Sequence, residues 1–168
     1  MTLQKAYFAS GCFWCITPTF QEKTGVRRVI SGYSGGNEEH PTYLDVKNQK
    51  TGHRETVMVE YNPEKISYRE LFDTFLSGVD PFDGDGQFID RGFSYTLAVY
   101  YTDAEQLQIA QAAIQELQLR SGKEVQIALE PFKSFWEAEE YHQDYYKKNP
   151  DAFRQELIES GRIKIISL

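Results

Sequence analysis

Three Ser/Thr-x-x-Glu patterns alternate along this chain with short runs rich in β-branched and aromatic residues. In such a pattern the first side chain accepts from a backbone N–H of a new helix and the acid reaches back, so each marks a helix start. Ser67-x-x-Glu70 opens a predicted helix over residues 68–76, with Leu71, Phe75 and Val79 spaced for one face. Thr102-x-x-Glu105 opens a second, with Leu107, Ala110, Ile114 and Leu117 aligned. Ser134-x-x-Glu137 opens a third, which Pro150 stops, and a short helix over 152–159 ends at Gly161 as its C-cap. Strand signals fall at 3–8, 26–32, 56–61, 95–101, 125–129 and, weakly, 163–166. Helices alternating with strands predict an α+β fold, a two-layer α/β sandwich. The length of 168 residues suits one domain over 1–168, with a core that needs neither disulfide nor metal. Two connections, 34–52 and 80–92, exceed the usual loop length, and such loops tend to carry function.

Both cysteines of the chain lie in Gly11-Cys12-Phe13-Trp14-Cys15. The preceding residues read as a strand, Ser10-Gly11 as a tight turn, and 16–24 as a helical continuation. Cys12 then stands at a helix N-terminus, where unpaired N–H groups favour an anion. This position predicts a lowered thiol pKa and a nucleophilic sulfur. Cys15, one turn along, can reach back to it. Phe13 and Trp14 add apolar surface that suits an apolar substrate group better than a metal.

Two cysteines are too few for a disulfide scaffold. The chain opens without a secretory pattern and carries no apolar run of membrane-spanning length, so a cytoplasmic, reducing compartment and no membrane partner are expected. There a Cys-x-x-Cys pair is more often catalytic than structural. A net charge of −7 argues against nucleic acid.

The first long loop leads to Tyr43 and to Thr51-Gly52-His53-Arg54-Glu55. Two readings of Glu55 stand: a proton donor whose pKa is raised in an aromatic pocket, or a solvated carboxylate paired with Arg54. In the second loop Asp83-x-Asp85 superficially resembles a calcium site but lacks the closing Glu. A zinc site built from Cys12, Cys15 and two of His40, His53 and His142 lacks a second tight ligand pair, so no metal is expected. Glu139-x-x-His142 suits one helix face, without the second copy a di-iron site needs.

Taken together, several ordered motifs resemble the A-type peptide methionine sulfoxide reductases, in a branch with Cys-Phe-Trp-Cys. They are Gly11-Cys12-Phe13-Trp14, Gly32-Tyr33-Ser34-Gly35-Gly36, Pro41-Thr42-Tyr43, Thr51-Gly52-His53-Arg54-Glu55, Asp80-Pro81, Gln87-x-x-Asp90-x-Gly92-x-x-Tyr95 and Ala138-Glu139-x-Tyr141-His142-Gln143. The resemblance implies a mixed sheet of ferredoxin-like type. It implies that Cys12 attacks the sulfoxide sulfur and that Phe13 and Trp14 receive the ε-methyl group. Glu55 would protonate or hydrogen-bond the sulfoxide oxygen, Tyr43 and Tyr95 would donate to it, and Asp90 would support the pocket. It further implies specificity for the S epimer of methionine sulfoxide, free or in proteins, and no cofactor beyond an external dithiol such as thioredoxin. Many members have Gly where Cys15 stands and keep resolving cysteines in a Gly-rich tail; residues 162–168 here contain none, which leaves Cys15 as the intramolecular resolver. Val79, Phe82 and Thr96 also depart from the common pattern. Two other classes compete with this reading: a thioredoxin-like disulfide oxidoreductase, whose Trp usually precedes its first cysteine, and a non-enzymatic module that binds oxidised methionine or a metal.

Overall fold

A computed structural model describes residues 2–160. Its centre is strand β1 (Gln4–Ser10), which continues through Gly11 and Cys12 into helix α1 (Phe13–Gln21). Then come β2 (Val26–Ser34), the short α2 (Tyr43–Lys47), β3 (Arg54–Tyr61) and α3 (Tyr68–Ser77). A small hairpin, β4 (Gly86–Gln87) and β5 (Asp90–Arg91), leads through a 3₁₀ turn, Phe93–Tyr95, to β6 (Leu97–Tyr101). Helix α4 (Ala104–Ser121), β7 (Ile127–Pro131), β8 (Phe135–Glu137), α5 (Tyr145–Lys148) and α6 (Pro150–Glu159) follow.

Six strands form one sheet in the order β7-β6-β1-β3-β2-β8. β1 lies antiparallel to β3 and β6, while β6 and β7 run parallel, so the sheet is mixed. Strand side chains alternate between faces. Phe8 and Val57 join Phe13, Phe20, Leu71, Phe72 and Phe75 in the core beneath the helices. Tyr7, Met58 and Tyr100 point to the opposite face, where Phe132 stacks on Tyr7 at 4.2 Å between ring centres. Truncating a fully buried ring such as Phe75 would cost about 3–5 kcal/mol. The Arg69–Glu116 ion pair that bridges α3 and α4 is solvent-exposed and contributes ~1 kcal/mol or less.

Ser67 and Glu70 form the capping box that their spacing predicts for α3. At α4 the cap shifts by one residue: Asp103, not Thr102, accepts from the Gln106 N–H at 2.8 Å, and the Gln106 side chain accepts from Thr102 N–H. A carboxylate is the stronger acceptor at the positive end of a helix. α4 ends at Gly122, whose φ of +71° is a left-handed cap that glycine adopts without a Cβ clash.

The helix predicted from Ser134 does not form. Phe135–Glu137 is instead β8, pairing with Ser34, Tyr33 and Gly32 along the free edge of β2. An open edge gains backbone hydrogen bonds from such a partner, and this outweighs a local helix signal. Gly32 is required there, because a Cβ would sit 2.4 Å from the Phe135 ring. Pro150 likewise starts α6 at its first position rather than stopping a helix. Tyr95 lies in the 3₁₀ turn before β6, not in the strand, and α1 begins at Phe13, three residues before the predicted helical stretch. The weak strand signal at 163–166 and the Gly161 cap lie outside the described residues.

Candidate active site

Gly11, at φ +84°, turns the chain sharply from β1 into α1 and leaves Cys12 as the N-cap residue, with no side-chain cap bond of its own. The vacant cap is filled from β3. Glu55, opposite Tyr33 in the sheet, reaches across so that Oε1 accepts from Phe13 N–H at 3.2 Å. Glu55 is 1% exposed, against 6% for Cys12 and 7% for Cys15. Burial pushes the Glu55 pKa up to about 8 against the pull of Phe13 N–H, and Asp90 and Cys15 add to the rise. Its carboxyl is therefore mostly protonated at neutral pH. The solvated-carboxylate reading fails on two counts. Glu55 is buried, and Arg54 turns to the other side of the strand, bonding Thr96, Tyr100 and Glu130.

The lowered Cys12 pKa expected from its helix position is not found. Its hydrogen bond with the Cys15 side chain, burial, and the charges of Cys15, Glu55 and Asp90 push the thiol well above its ordinary value. The physical reason is that the Cys15 hydrogen bond and burial both favour the neutral thiol, while the N–H of Phe13 at the helix start serves Glu55. The resting site thus holds a protonated thiol beside a protonated carboxyl.

Above Cys12 the rings of Phe13, Trp14, Tyr43 and His142 form a cage, with His142 5.1 Å from Phe13 and 4.3 Å from Tyr43 between ring centres. Trp14 stacks on Tyr145 at 4.0 Å. Its indole N–H donates to His142 Nδ1 at 3.0 Å. An indole nitrogen only donates, so Nδ1 is bare and a neutral His142 carries its proton on Nε2. Burial holds the His142 pKa below the ordinary value, against an upward pull from Glu139.

Tyr43 and Tyr95 converge on this space, where the Tyr95 hydroxyl pulls the Tyr43 pKa down against burial. Burial and the charge of Glu55 raise both phenol pKa values, so both stay protonated donors. Asp90 adds negative charge felt by Glu55, Cys12 and Tyr95. The structure therefore gathers Cys12, Phe13, Trp14, Tyr43, Glu55, Asp90 and Tyr95 at one place, with Cys15 one turn down α1.

Three supporting residues carry no assignable role in the sequence alone. Glu139 accepts from Tyr33 hydroxyl at 2.7 Å and from Tyr43 N–H at 3.0 Å, fixing the start of α2. Gln143 bonds both backbone groups of Ser31 at 2.9 Å and so pins the 138–143 segment to β2. Gln49, at φ +63°, clamps Ser94 in both directions: Oε1 accepts from Ser94 N–H at 2.9 Å and Nε2 donates to its hydroxyl at 2.8 Å. This ties the Tyr43 helix to the Tyr95 turn. Glu139 and Gln143 lie in a recognisable motif, whereas Gln49 carries no local signal because its partner is remote in sequence.

Asp83 is committed to a two-pronged ion pair with Arg91, not to a calcium loop. His53 accepts from Gly36 N–H and bonds Glu38 O, and His40 packs on Trp136, so the three histidines are dispersed. Among the described residues no group of three or more His, Cys, Asp or Glu is arranged to hold a metal. No helix among them is long and apolar enough to cross a membrane.

A family model described as peptide methionine sulfoxide reductase matches residues 4–167. A peptide methionine sulfoxide reductase MsrA of Bacillus velezensis is 45% identical over 159 residues, 94% of this chain and 90% of that protein. The reduced form of Mxr1 from Saccharomyces cerevisiae superposes with a TM-score of 0.84 at 30% identity, covering 89% of this chain and 87% of that one. Methionine sulfoxide reductase A of Corynebacterium diphtheriae gives 0.78 at 28% identity, covering 88% and 76%. With a buried thiol, a protonated carboxyl and an aromatic cage brought together, these likenesses agree: the chain belongs to the peptide methionine sulfoxide reductase family, enzymes that return oxidised methionine to methionine.

Proposed function

We propose that this enzyme reduces the S epimer of methionine sulfoxide, free or in proteins, with Cys12 as nucleophile and Glu55 as proton donor. The observation that carries the reading is the Glu55 carboxyl, buried on Phe13 N–H next to Cys12 and held at a pKa of about 8. Attack at a sulfoxide sulfur drives charge onto its oxygen, and a buried acid flanked by two phenol donors stabilises that charge as it develops. Cys12 sulfur bonds to the substrate sulfur as its S–H bond breaks; the thiol proton passes to Glu55 while Glu55 gives its own proton to the oxygen, so the carboxyl ends the step protonated. Tyr43 and Tyr95 donate to the same oxygen, and Asp90 supports the pocket through its charge. Phe13 and Trp14 enclose the ε-methyl group.

Oxygen ends on Cys12 as a sulfenic acid and methionine leaves. The Cys15 thiol then displaces water to give a Cys12–Cys15 disulfide. An external dithiol reduces it by exchange, and no other cofactor is needed. The yeast relative Mxr1 has been solved in complex with Trx2, which supports thioredoxin as that dithiol. A cycling cysteine pair suits a cytoplasmic setting, where disulfides do not persist. The reading treats residues 1–168 as one catalytic domain. It also treats β1-α1-β2-β3-α3-β6 as a ferredoxin-like unit, on the ground that these strands lie in the order fourth, first, third, second. Chiral product analysis on the two epimers with a small dithiol tests the function: consumption of the S epimer alone is expected, and equal consumption of both contradicts it.

A further inference from the structure

The two sulfurs of the motif serve different sides of α1. Cys12 caps the helix beneath the cage. Cys15 belongs to the stripe that continues through Pro18, Thr19 and Glu22, and this stripe walls a groove of about 390 Å³. The facing walls come from Val79, Phe88 and, on α6, Phe153 and Leu157. None of Phe13, Trp14, Tyr43, Glu55 and Tyr95 lines it. Sulfoxide reduction leaves this second cleft without a task, yet one of the two redox sulfurs is in its wall.

Thiol–disulfide exchange needs a thiolate to approach one sulfur of the bond, and access and the leaving group decide which. Cys15 lines the groove and Cys12 does not, so a thiolate seated in the groove meets Cys15. The group expelled is then Cys12, beside the Glu55 carboxyl that can protonate it. The helix start is also able to yield. Pro18 has no N–H to give to Trp14 C=O, and Thr17 hydroxyl bonds back to Phe13 O at 2.7 Å.

We propose that the groove between α1 and α6 is the docking site for thioredoxin, and that the reductant's thiolate attacks Cys15 with Cys12 as the leaving group. This rests on the reading that a Cys12–Cys15 disulfide forms in turnover. The occupant follows from chemistry: a partner makes use of a sulfur in an apolar wall only if it brings a thiolate on a surface that fits Phe88, Phe153 and Leu157. In the first step the Cys15–reductant bond forms, the Cys12–Cys15 bond breaks, and the electron pair on Cys12 takes the Glu55 proton. In the second, the reductant's other thiol attacks its own sulfur in the mixed disulfide. The reductant leaves as a disulfide, Cys15 leaves as a thiolate that takes up the proton released by that second thiol, Glu55 regains its proton from water, and two electrons have passed.

The test uses the full chain, oxidised with methionine sulfoxide and checked by intact mass for loss of two hydrogens. Without that loss the disulfide reading itself fails, and the docking proposal falls with it. Where the disulfide is present, thioredoxin whose second redox cysteine is replaced by serine is added, free thiols are alkylated, and fragment spectra locate the mixed disulfide. A link to Cys15 with Cys12 alkylated is expected, and a link to Cys12 overturns the proposal. In parallel, Leu157→Arg and, on the opposite wall, Thr19→Arg should each raise KM for thioredoxin about tenfold, the scale of losing one interface anchor. Dithiothreitol-driven turnover should stay unchanged. Unaltered thioredoxin kinetics in both variants would remove the groove as the docking site, including the case where a second copy of the chain occupies it.

Discussion

Replacing Glu55 with Gln keeps the shape of the side chain and the acceptor for Phe13 N–H but removes the titration. The folded pKa of about 8 lies well above the ordinary value of 4.5. A carboxyl with a raised folded pKa favours folding below its unfolded pKa and loses that advantage as pH rises through the folded one. Between those limits each pH unit removes about 1.4 kcal/mol. From about pH 5.5 to about pH 7.5 Glu55 alone should therefore cost the wild-type enzyme about 3 kcal/mol, or roughly 5–10 °C in Tm for a chain of this size. Other groups titrate as well, so the informative quantity is the difference in slope between wild type and Glu55→Gln, followed by calorimetry across that range. The variant should lose the Glu55 share of the slope and become the more stable protein toward the alkaline end. It should also slow methionine release by roughly 10²-fold or more, since the amide donates a hydrogen bond but transfers no proton. Parallel slopes for the two proteins would refute the buried, protonated carboxyl and the acid role built on it.

The other expectations concern the parts around that acid. Trp14→Ala should weaken transition-state binding by about 1–3 kcal/mol, with a smaller penalty for a sulfoxide lacking the methyl group, as kcat/KM on paired substrates would show. Gln49→Asn keeps a residue that tolerates the left-handed backbone but is too short to reach Ser94; it should lower the reductase rate by up to about 10²-fold through misplacement of Tyr43 and Tyr95, with KM little changed. Cys15→Ser should stall under thioredoxin yet regain part of its turnover with excess small thiol, which attacks the sulfenic acid directly. Full thioredoxin-driven turnover in that variant would rule out Cys15 as resolver.

Signals carried within a few residues are legible in the amino-acid sequence. The Ser67–Glu70 box, the strand at 56–61 and the turn into Cys12 depend on neighbours in the chain, and each is found. The helix predicted from Ser134 gives way because its segment completes the edge of β2, a partner about a hundred residues away. A partner 45 residues away hides Gln49, and partners 96 and 106 residues away leave Glu139 without a visible task. The thiol pKa escapes sequence reasoning for a related reason. The helix N-terminus is where the sequence places it, but the acceptor occupying it comes from β3, and the burial that protonates Glu55 also suppresses the thiolate. Tyr95 belongs to the site although it lies in a 3₁₀ turn rather than a strand, because Gln49 and Arg54 hold that turn from either side.

The division of labour between the two sulfurs is the central claim, and a single-turnover count of methionine tests it most directly. Fully reduced enzyme is mixed with excess methionine sulfoxide in the absence of any reductant, quenched, and the methionine released per chain is measured for wild type, Cys12→Ser and Cys15→Ser. The account predicts about one equivalent from wild type and from Cys15→Ser, because oxygen transfer needs only Cys12, and none from Cys12→Ser. Release of methionine by Cys12→Ser, or loss of the burst in Cys15→Ser, would contradict it.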